Sequence, residues 1–271
     1  MPDATPSGRR PQHPVEFQPP RASIDGERLI AVFSKLVEPI GRSLPSSSEV
    51  VLHDLSRLPN SIVAIYGDVT GRRVSDPATD LLLQKVSDLS DDNMVGYETS
   101  LPDGRRIRSS TMIIRDVSGE PVAALCINSD LSAWLSVQRV VEMMLSGVQP
   151  EDAPTPSSTL SAVPVRPASE SVEVFARDVD ELAAHLIHRA VAKAGVPVEQ
   201  MQKRHKVEVV RDLQARGMFM LRDAVDMIAS TLHVTRFTIY NYLNEIADEA
   251  TDEAATGTES DSTTQLNEEN K

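Results

Sequence analysis

The stretch Val225–Asn244, VDMIASTLHVTRFTIYNYLN, decides the fold of the C-terminal half. At helical spacing Leu221, Val225, Ile228, Ala229 and Leu232 share one face, which predicts a short amphipathic helix. The pattern breaks at His233 and Val234. Thr235 then stands where a helix needs its N-cap, with a hydroxyl able to accept from a free N–H of the next turn. A second run turns Ile239, Leu243 and Ile246 inward. Two helices on so tight a turn, with small Ala229 where they approach, predict a helix-turn-helix. The outer face of the second helix carries Arg236, Thr238, Tyr240, Asn241 and Asn244. Such groups suit the major groove, where base edges present distinguishable patterns of donors and acceptors. The competing reading is an ordinary helical hairpin whose polar face meets only water. Cap, hairpin and polar face agree, and they favour a DNA reader.

At 271 residues the chain has room for two modest domains and tails. Hydrophobic residues make up 40% and aromatic ones only 4%, so its cores are aliphatic. Cys126 is the single cysteine, which excludes an intrachain disulfide framework and fits a reducing cytoplasm. The polar, proline-rich N-terminus has no signal-peptide pattern, and no apolar run approaches the roughly 20 residues of a membrane helix. A cytoplasmic protein with no membrane partner is expected. The net charge of −13 weighs against a DNA ligand until it is located. Eight carboxylates against one lysine lie between Asp248 and Lys271. That stretch is expected to be a disordered acidic tail. Lys203, Arg204, Lys206, Arg211, Arg216 and Arg222 lie ahead of the hairpin, and backbone contact depends on local charge.

Residues 1–22 read as a disordered tail. A helix is expected from Ser23, its stripe Leu29, Ile30, Phe33, Leu36 and Val37, with Pro39 bending or ending it near Gly41. Glu49–Leu55 and Ile62–Tyr66 are β-branched runs bounded by turn residues, hence strands. Asp76–Ser87 returns to helical spacing. Tyr97–Leu101, Arg106–Asp116 and Pro121–Asn128 are strands separated by the turn signals Asp103-Gly104 and Ser118-Gly119. Leu131–Leu145 is a helix apolar almost all round, so a second face needs cover, within the domain or by another subunit. Residues 23–146 are therefore expected to form an α+β sensor-like domain with a five-stranded antiparallel sheet and helices on one side. A Pro/Ser-rich linker follows over residues 147–170. An all-α domain spans 171–247, with helices at Asp178–Ala194 and Glu199–Arg216 and the helix-turn-helix at about 221–246.

Few other residues suggest chemistry. His53-Asp54 invites an acid–base reading, but no motif places a nucleophile beside it, and no H-E-x-x-H or Gly-rich phosphate loop occurs. His53 is expected to be bonded in the sheet, or to join a sensor pocket with Asn60, Tyr66, Thr111 and Asn128. Cys126, within AALCIN, is expected to be a buried strand residue. His185 and His188 lack a further ligand nearby. No catalytic residue, metal or cofactor is expected.

Several stretches carry a family resemblance: VVLHDLS at Val50–Ser56, NSIVAIYGDVTGRRVSDPATDLL at Asn60–Leu82, CINSDL at Cys126–Leu131, and KVEVVRDLQARGMFMLRDAVDMIASTL with VTRFTIYNYLNEI, ending at Ile246. They resemble bacterial regulators that join a YheO-like PAS domain to a C-terminal helix-turn-helix, the family of DauR-like D-arginine utilisation repressors. The resemblance implies a transcription regulator, often a repressor, whose PAS half senses a small polar metabolite or a partner. By analogy with the hairpin class, Thr235, Arg236, Thr238, Asn241 and Tyr242 are placed at operator DNA, with Arg222 near the start of the first hairpin helix; the Tyr242 ring has the core as its alternative. Arg236 and Asn241 suit base edges; Thr235 and Thr238 suit phosphate or sugar. His233 departs from the glycine usual at such a turn, where φ > 0 is common. A homodimer or higher oligomer on double-stranded operator DNA is expected. The rivals are an adaptor whose hairpin docks onto a protein, with no DNA binding, and an enzyme built on the α+β half.

Overall fold

The computed structural model describes residues 22–88, 93–146 and 173–262. The expected N-terminal tail up to residue 21, the whole of the expected linker and residues 263–271 lie outside them. Two compact units emerge: 22–186 with 215–222, and 187–214 with 223–262.

The first unit is built on β1 (Ser48–Asp54), β2 (Ile62–Tyr66), β3 (Met94–Ser100), β4 (Arg106–Arg115) and β5 (Pro121–Asp130), with α1 (Ile24–Ser43), α2 (Asp80–Ser87) and α3 (Ser132–Ser146). The strands form one antiparallel sheet in the order β2-β1-β5-β4-β3. Ser23 caps α1 by accepting from the Gly26 N–H at 3.0 Å. Pro39 does not end that helix. It lies inside α1, which runs on to Ser43.

Alternation along the strands gives the sheet two unlike faces. Val50 and Leu52 of β1 join Ala123 and Leu125 of β5 and Val37 of α1 in one core, with Phe33, Ile30 and Tyr66 packed on it. Gly41 lets α1 come close to that face. A Cβ there would stand 2.1 Å from Cδ1 of Tyr66. On the opposite face the register aligns Glu49, Asn128, Ser109 and Tyr97 across four strands, and Val51, Cys126 and Thr111 in the next row. This polar face is buried too. It meets Val69 and Thr70 on the loop after β2, and Glu173 in the segment ahead of α4, within the same unit. α3 carries Trp134, Val137, Val140, Val141, Met144 and Leu145 exposed.

The second unit holds α5 (Lys203–Ala215), α6 (Ala224–Thr231) and α7 (Arg236–Ser262). The helix α4 (Val179–Ala194) runs across the boundary between the units. Val207, Val210, Leu213, Ile228, Ala229, Leu232, Ile239, Leu243 and Ile246 are buried. Helix α5 starts at Lys203 instead of Glu199, after a single 3-10 turn at Val198–Gln200. The expectation of an unfolded acidic tail from Asp248 is corrected over its first part, because α7 continues to Ser262. The sequence EATDEAAT is rich in Ala and Glu, good helix formers, and the docked first turns of α7 supply the nucleus that isolated helices lack.

Candidate nucleic-acid interface and sensor face

The turn between α6 and α7 is closed by the Val234 N–H donating to the Ala229 carbonyl at 3.0 Å. His233 has φ 51, the left-handed conformation its position requires. The Thr235 hydroxyl accepts from the Thr238 N–H at 3.2 Å and so caps α7, with the two threonine hydroxyls 2.9 Å apart. Arg236, Asn241 and Asn244 are exposed and Thr238 is half-buried. Arg222 is exposed two residues before α6.

Tyr242 is corrected: it is buried in the helical core. Its spacing from Ile239 and Ile246, three before and four after, puts it on the inner face of α7, where it cannot meet DNA without unpacking the hairpin. Phe237, 73% exposed in the first turn of α7, was missed. An exposed aromatic ring at a helix start is an apolar surface suited to thymine methyls. The composition of the outer face drew attention only to its polar members.

Electrostatics modify this surface. Arg236 forms an ion pair with Asp226 of α6. Lys203 reaches Glu245 at 2.7 Å, which raises the lysine pKa through that hydrogen bond. Arg211 pairs with Glu249, and the Lys206 ammonium donates to the Leu232 carbonyl at 2.7 Å. Three of the cations counted ahead of the hairpin are therefore bound to groups of this same unit. Only folding reveals this, because the partners are 26 to 42 residues away.

The buried polar face of the sheet is the second site. Glu49 accepts at Oε2 from the Val69 and Thr70 N–H groups at 3.0 Å each. Its Oε1 accepts from the Thr70 hydroxyl at 2.8 Å and the Asn128 amide at 3.1 Å. Asn128 in turn accepts from Ser109 at 2.9 Å. His53 Nδ1 lies 2.8 Å from the Ser61 hydroxyl, while its Nε2, also buried, has no partner among the described residues. Burial, and secondarily the charge of Arg72, lowers the His53 pKa well below its ordinary value. Burial pushes the Cys126 thiol up to about 11, so this cysteine is a packed strand residue. Arg72 donates from Nε to Thr70 at 3.2 Å and lies 5.0 Å from the Phe175 ring centroid; its Nη1 is buried without a partner.

Of the expected pocket, His53, Thr111 and Asn128 share this face. Tyr66 and Asn60 do not join them. Tyr66 pairs with Val50 on the apolar face, and Asn60 sits exposed in the turn before β2. Glu49, Arg72, Tyr97 and Glu173 went unnoticed. Alternation from His53 could have revealed Glu49, four residues earlier on the same face. Nothing local could have brought in Glu173. Among the described residues no group of three or more His, Cys, Asp or Glu is placed to hold a metal ion. No helix among them is long and apolar enough to cross a membrane.

A sheet of order 2-1-5-4-3, followed by a capped helix-turn-helix, is the layout of a PAS-like domain joined to a helix-turn-helix domain. Residues 25–146 match the model of the YheO-like PAS domain, and residues 182–244 match that of a helix-turn-helix domain. The chain thus carries a YheO-like PAS domain followed by a helix-turn-helix domain. It is similar to the transcriptional regulator DauR of Pseudomonas aeruginosa, 28% identical over 200 residues, covering 73% of this chain and 85% of the relative. It is 24% identical to the uncharacterized protein YheO of Escherichia coli over 80% of this chain and 84% of that one. An uncharacterized protein of Haemophilus influenzae is 25% identical over 83% and 94%. A solved structure, the phage VqmA–DPO complex, aligns with a TM-score of 0.30 at 8% identity over 81% of this chain and 89% of that one, too slight a likeness to carry an argument.

Proposed function

We propose that this protein is a transcription regulator, a repressor, that binds operator DNA through α7 and takes a small metabolite into its PAS half. The observation that carries the reading is the exposed face of α7 from Thr235 through Asn241, held at its start by the Thr235 cap. In the complex Arg236 leaves Asp226 for a guanine edge, and Asn241 meets an adjacent base. Thr235 and Thr238 hold phosphate, and Arg222 contributes backbone contact. The similarity to DauR, a transcriptional regulator, supports the DNA partner by analogy. The exposed apolar residues of α3 support a homodimer, whose two-fold symmetry calls for half-sites about 34 Å apart or a multiple of it. The function is regulatory and cytoplasmic, without catalysis: the buried polar groups of the sheet are engaged in structure and ligand binding.

The test is a mobility shift on the DNA upstream of the protein's own gene. Arg236→Ala is expected to lower specific affinity by about 1–3 kcal/mol. Affinity for the wild type should fall steeply with added salt. A salt-independent interaction, or an Arg236→Ala variant that binds as well as wild type, rejects the DNA reading in favour of a protein-docking hairpin. The metabolite reading fails if no small molecule changes the operator affinity of the full chain.

A further inference from the structure

Glu173 is an acid in a place where acids are costly. It lies in the short stretch that leads into α4, yet it is buried against the polar face of the PAS sheet. Tyr97 donates to its Oε2 at 3.1 Å, and the Thr79 hydroxyl lies near enough to favour the ionised carboxylate. The Glu173 N–H donates to Thr99 at 3.2 Å and the Val174 N–H to Asp80 at 2.8 Å, so the backbone of the stretch is tied down beside the carboxylate. Phe175, next along, packs against Val69, Leu101 and Ile107 and lies by the Arg72 guanidinium.

The fit is incomplete. Arg72 is close enough for its charge to act on Glu173, yet among the described residues Arg72 Nη1 remains without an acceptor, and the buried Nε2 of the neutral His53 ring has no hydrogen-bond partner. Burial pushes the Glu173 carboxyl up to about 7, so its anion is poorly compensated here. A carboxylate carried by the chain reaches Tyr97 and Thr79 but does not complete the fork of the guanidinium. A free carboxylate is under no such constraint and can align both oxygens with an arginine. Buried polar groups that lack partners in a site already holding a carboxylate mark a site built for a different one.

We propose that the polar face bounded by Arg72, His53, Thr79, Tyr97 and Thr99 binds a small carboxylic acid, and that Glu173 is a built-in occupant which this ligand displaces. The inference rests on the reading of the PAS half as a sensor. The ligand's carboxylate takes the positions of the Glu173 oxygens and extends to Arg72 Nη1. Its body takes the room of Phe175. Displacement frees residues 173–176, which run directly into α4, so occupancy of the sheet is passed to the helical half through the chain itself. Because Glu173 is tethered, it competes at a high local concentration, and only a ligand with better partners wins.

Acetate is the fragment that Glu173→Ala removes, and it serves as the probe. The full-length E173A variant is titrated with sodium acetate against sodium chloride of equal ionic strength, with melting temperature and calorimetry as readouts. Saturable stabilisation is expected, with a Kd on the order of millimolar for so few atoms. Wild type and E173Q, whose sites are filled, should show none. Adding Tyr97→Phe to E173A should weaken acetate about tenfold, the loss of one charge-assisted hydrogen bond. Acetate that leaves E173A unchanged, or that acts equally on E173Q, overturns the proposal. Should E173A fail to fold, Glu173→Asp draws the carboxylate back from Tyr97 and Thr79, and hydrogen exchange at Val174 and Phe175 should quicken; unchanged exchange overturns it as well. These readouts do not involve DNA, so their failure is distinct from the absence of any metabolite effect on operator binding.

Discussion

Replacing Gly41 by alanine should destabilise this protein, although alanine is the better helix former. Within α1 the exchange would by itself gain about 0.5–1 kcal/mol, because glycine loses more backbone freedom on folding. The added Cβ, however, would stand 2.1 Å from Cδ1 of Tyr66, 2.8 Å from Cγ and 3.0 Å from Cε1. Ordinary contact begins near 3.4 Å, so ring and helix must separate by about 1.3 Å. Tyr66 is packed against the core beneath α1, and overpacking of that kind costs about 1–3 kcal/mol. Net destabilisation of roughly 0.5–2 kcal/mol is expected from the two opposed terms. The decisive assay is a double-mutant cycle in urea, followed by circular dichroism on the full chain. In a Tyr66→Ala background the ring is gone, and Gly41→Ala should now stabilise by about 0.5–1 kcal/mol. The reversal of sign is the signature. If Gly41→Ala has the same effect in both backgrounds, Tyr66 does not lie under α1, and its removal from the polar face is wrong.

Three further outcomes are expected. His233→Gly should raise stability by about 0.5–1 kcal/mol, since glycine adopts the φ of 51 without strain; thermal unfolding reads this, and operator affinity should not change. Val141→Glu, which sets a carboxylate on the exposed apolar side of α3, should convert a dimer to a monomer by light scattering; a wild type that is already monomeric rejects α3 as a subunit contact. Docking of Glu173, which faces Tyr97, Arg72 and Asp80, should depend on pH. Its docked pKa of about 7 lies above the ordinary 4.5, so docking is fully supported below about 4.5, weakens as pH rises from there to about 7, and is level above. Exchange at Val174, corrected for its intrinsic pH dependence, should quicken across that window in wild type and stay flat in Glu173→Gln.

Much of this architecture is local and was legible for that reason. The N-caps Ser23 and Thr235, the turns at Asp103-Gly104 and Ser118-Gly119, and the changes from helical to alternating period each depend on a few neighbouring residues. They established an α+β half, an all-α half and the hairpin with its outward polar face. Tyr242, placed at DNA with the core as its alternative, is in the core, as its spacing from Ile239 and Ile246 already favoured.

What tertiary structure alone decided concerns partners distant along the chain. Periodicity tells which strand residues share a face; it does not tell what lies over that face. Tyr66 faces a helix and His53 faces a loop because of how the sheet is covered on its two sides. Arg236, Lys203 and Arg211 looked like free cations until folding brought Asp226, Glu245 and Glu249 to them. Glu173 is the extreme case, bonded to Tyr97 across 76 residues. A carboxylate beside a linker reads as solvated by every local rule, and only the three-dimensional closure of the sheet takes its water away and makes its proton and its partners matter.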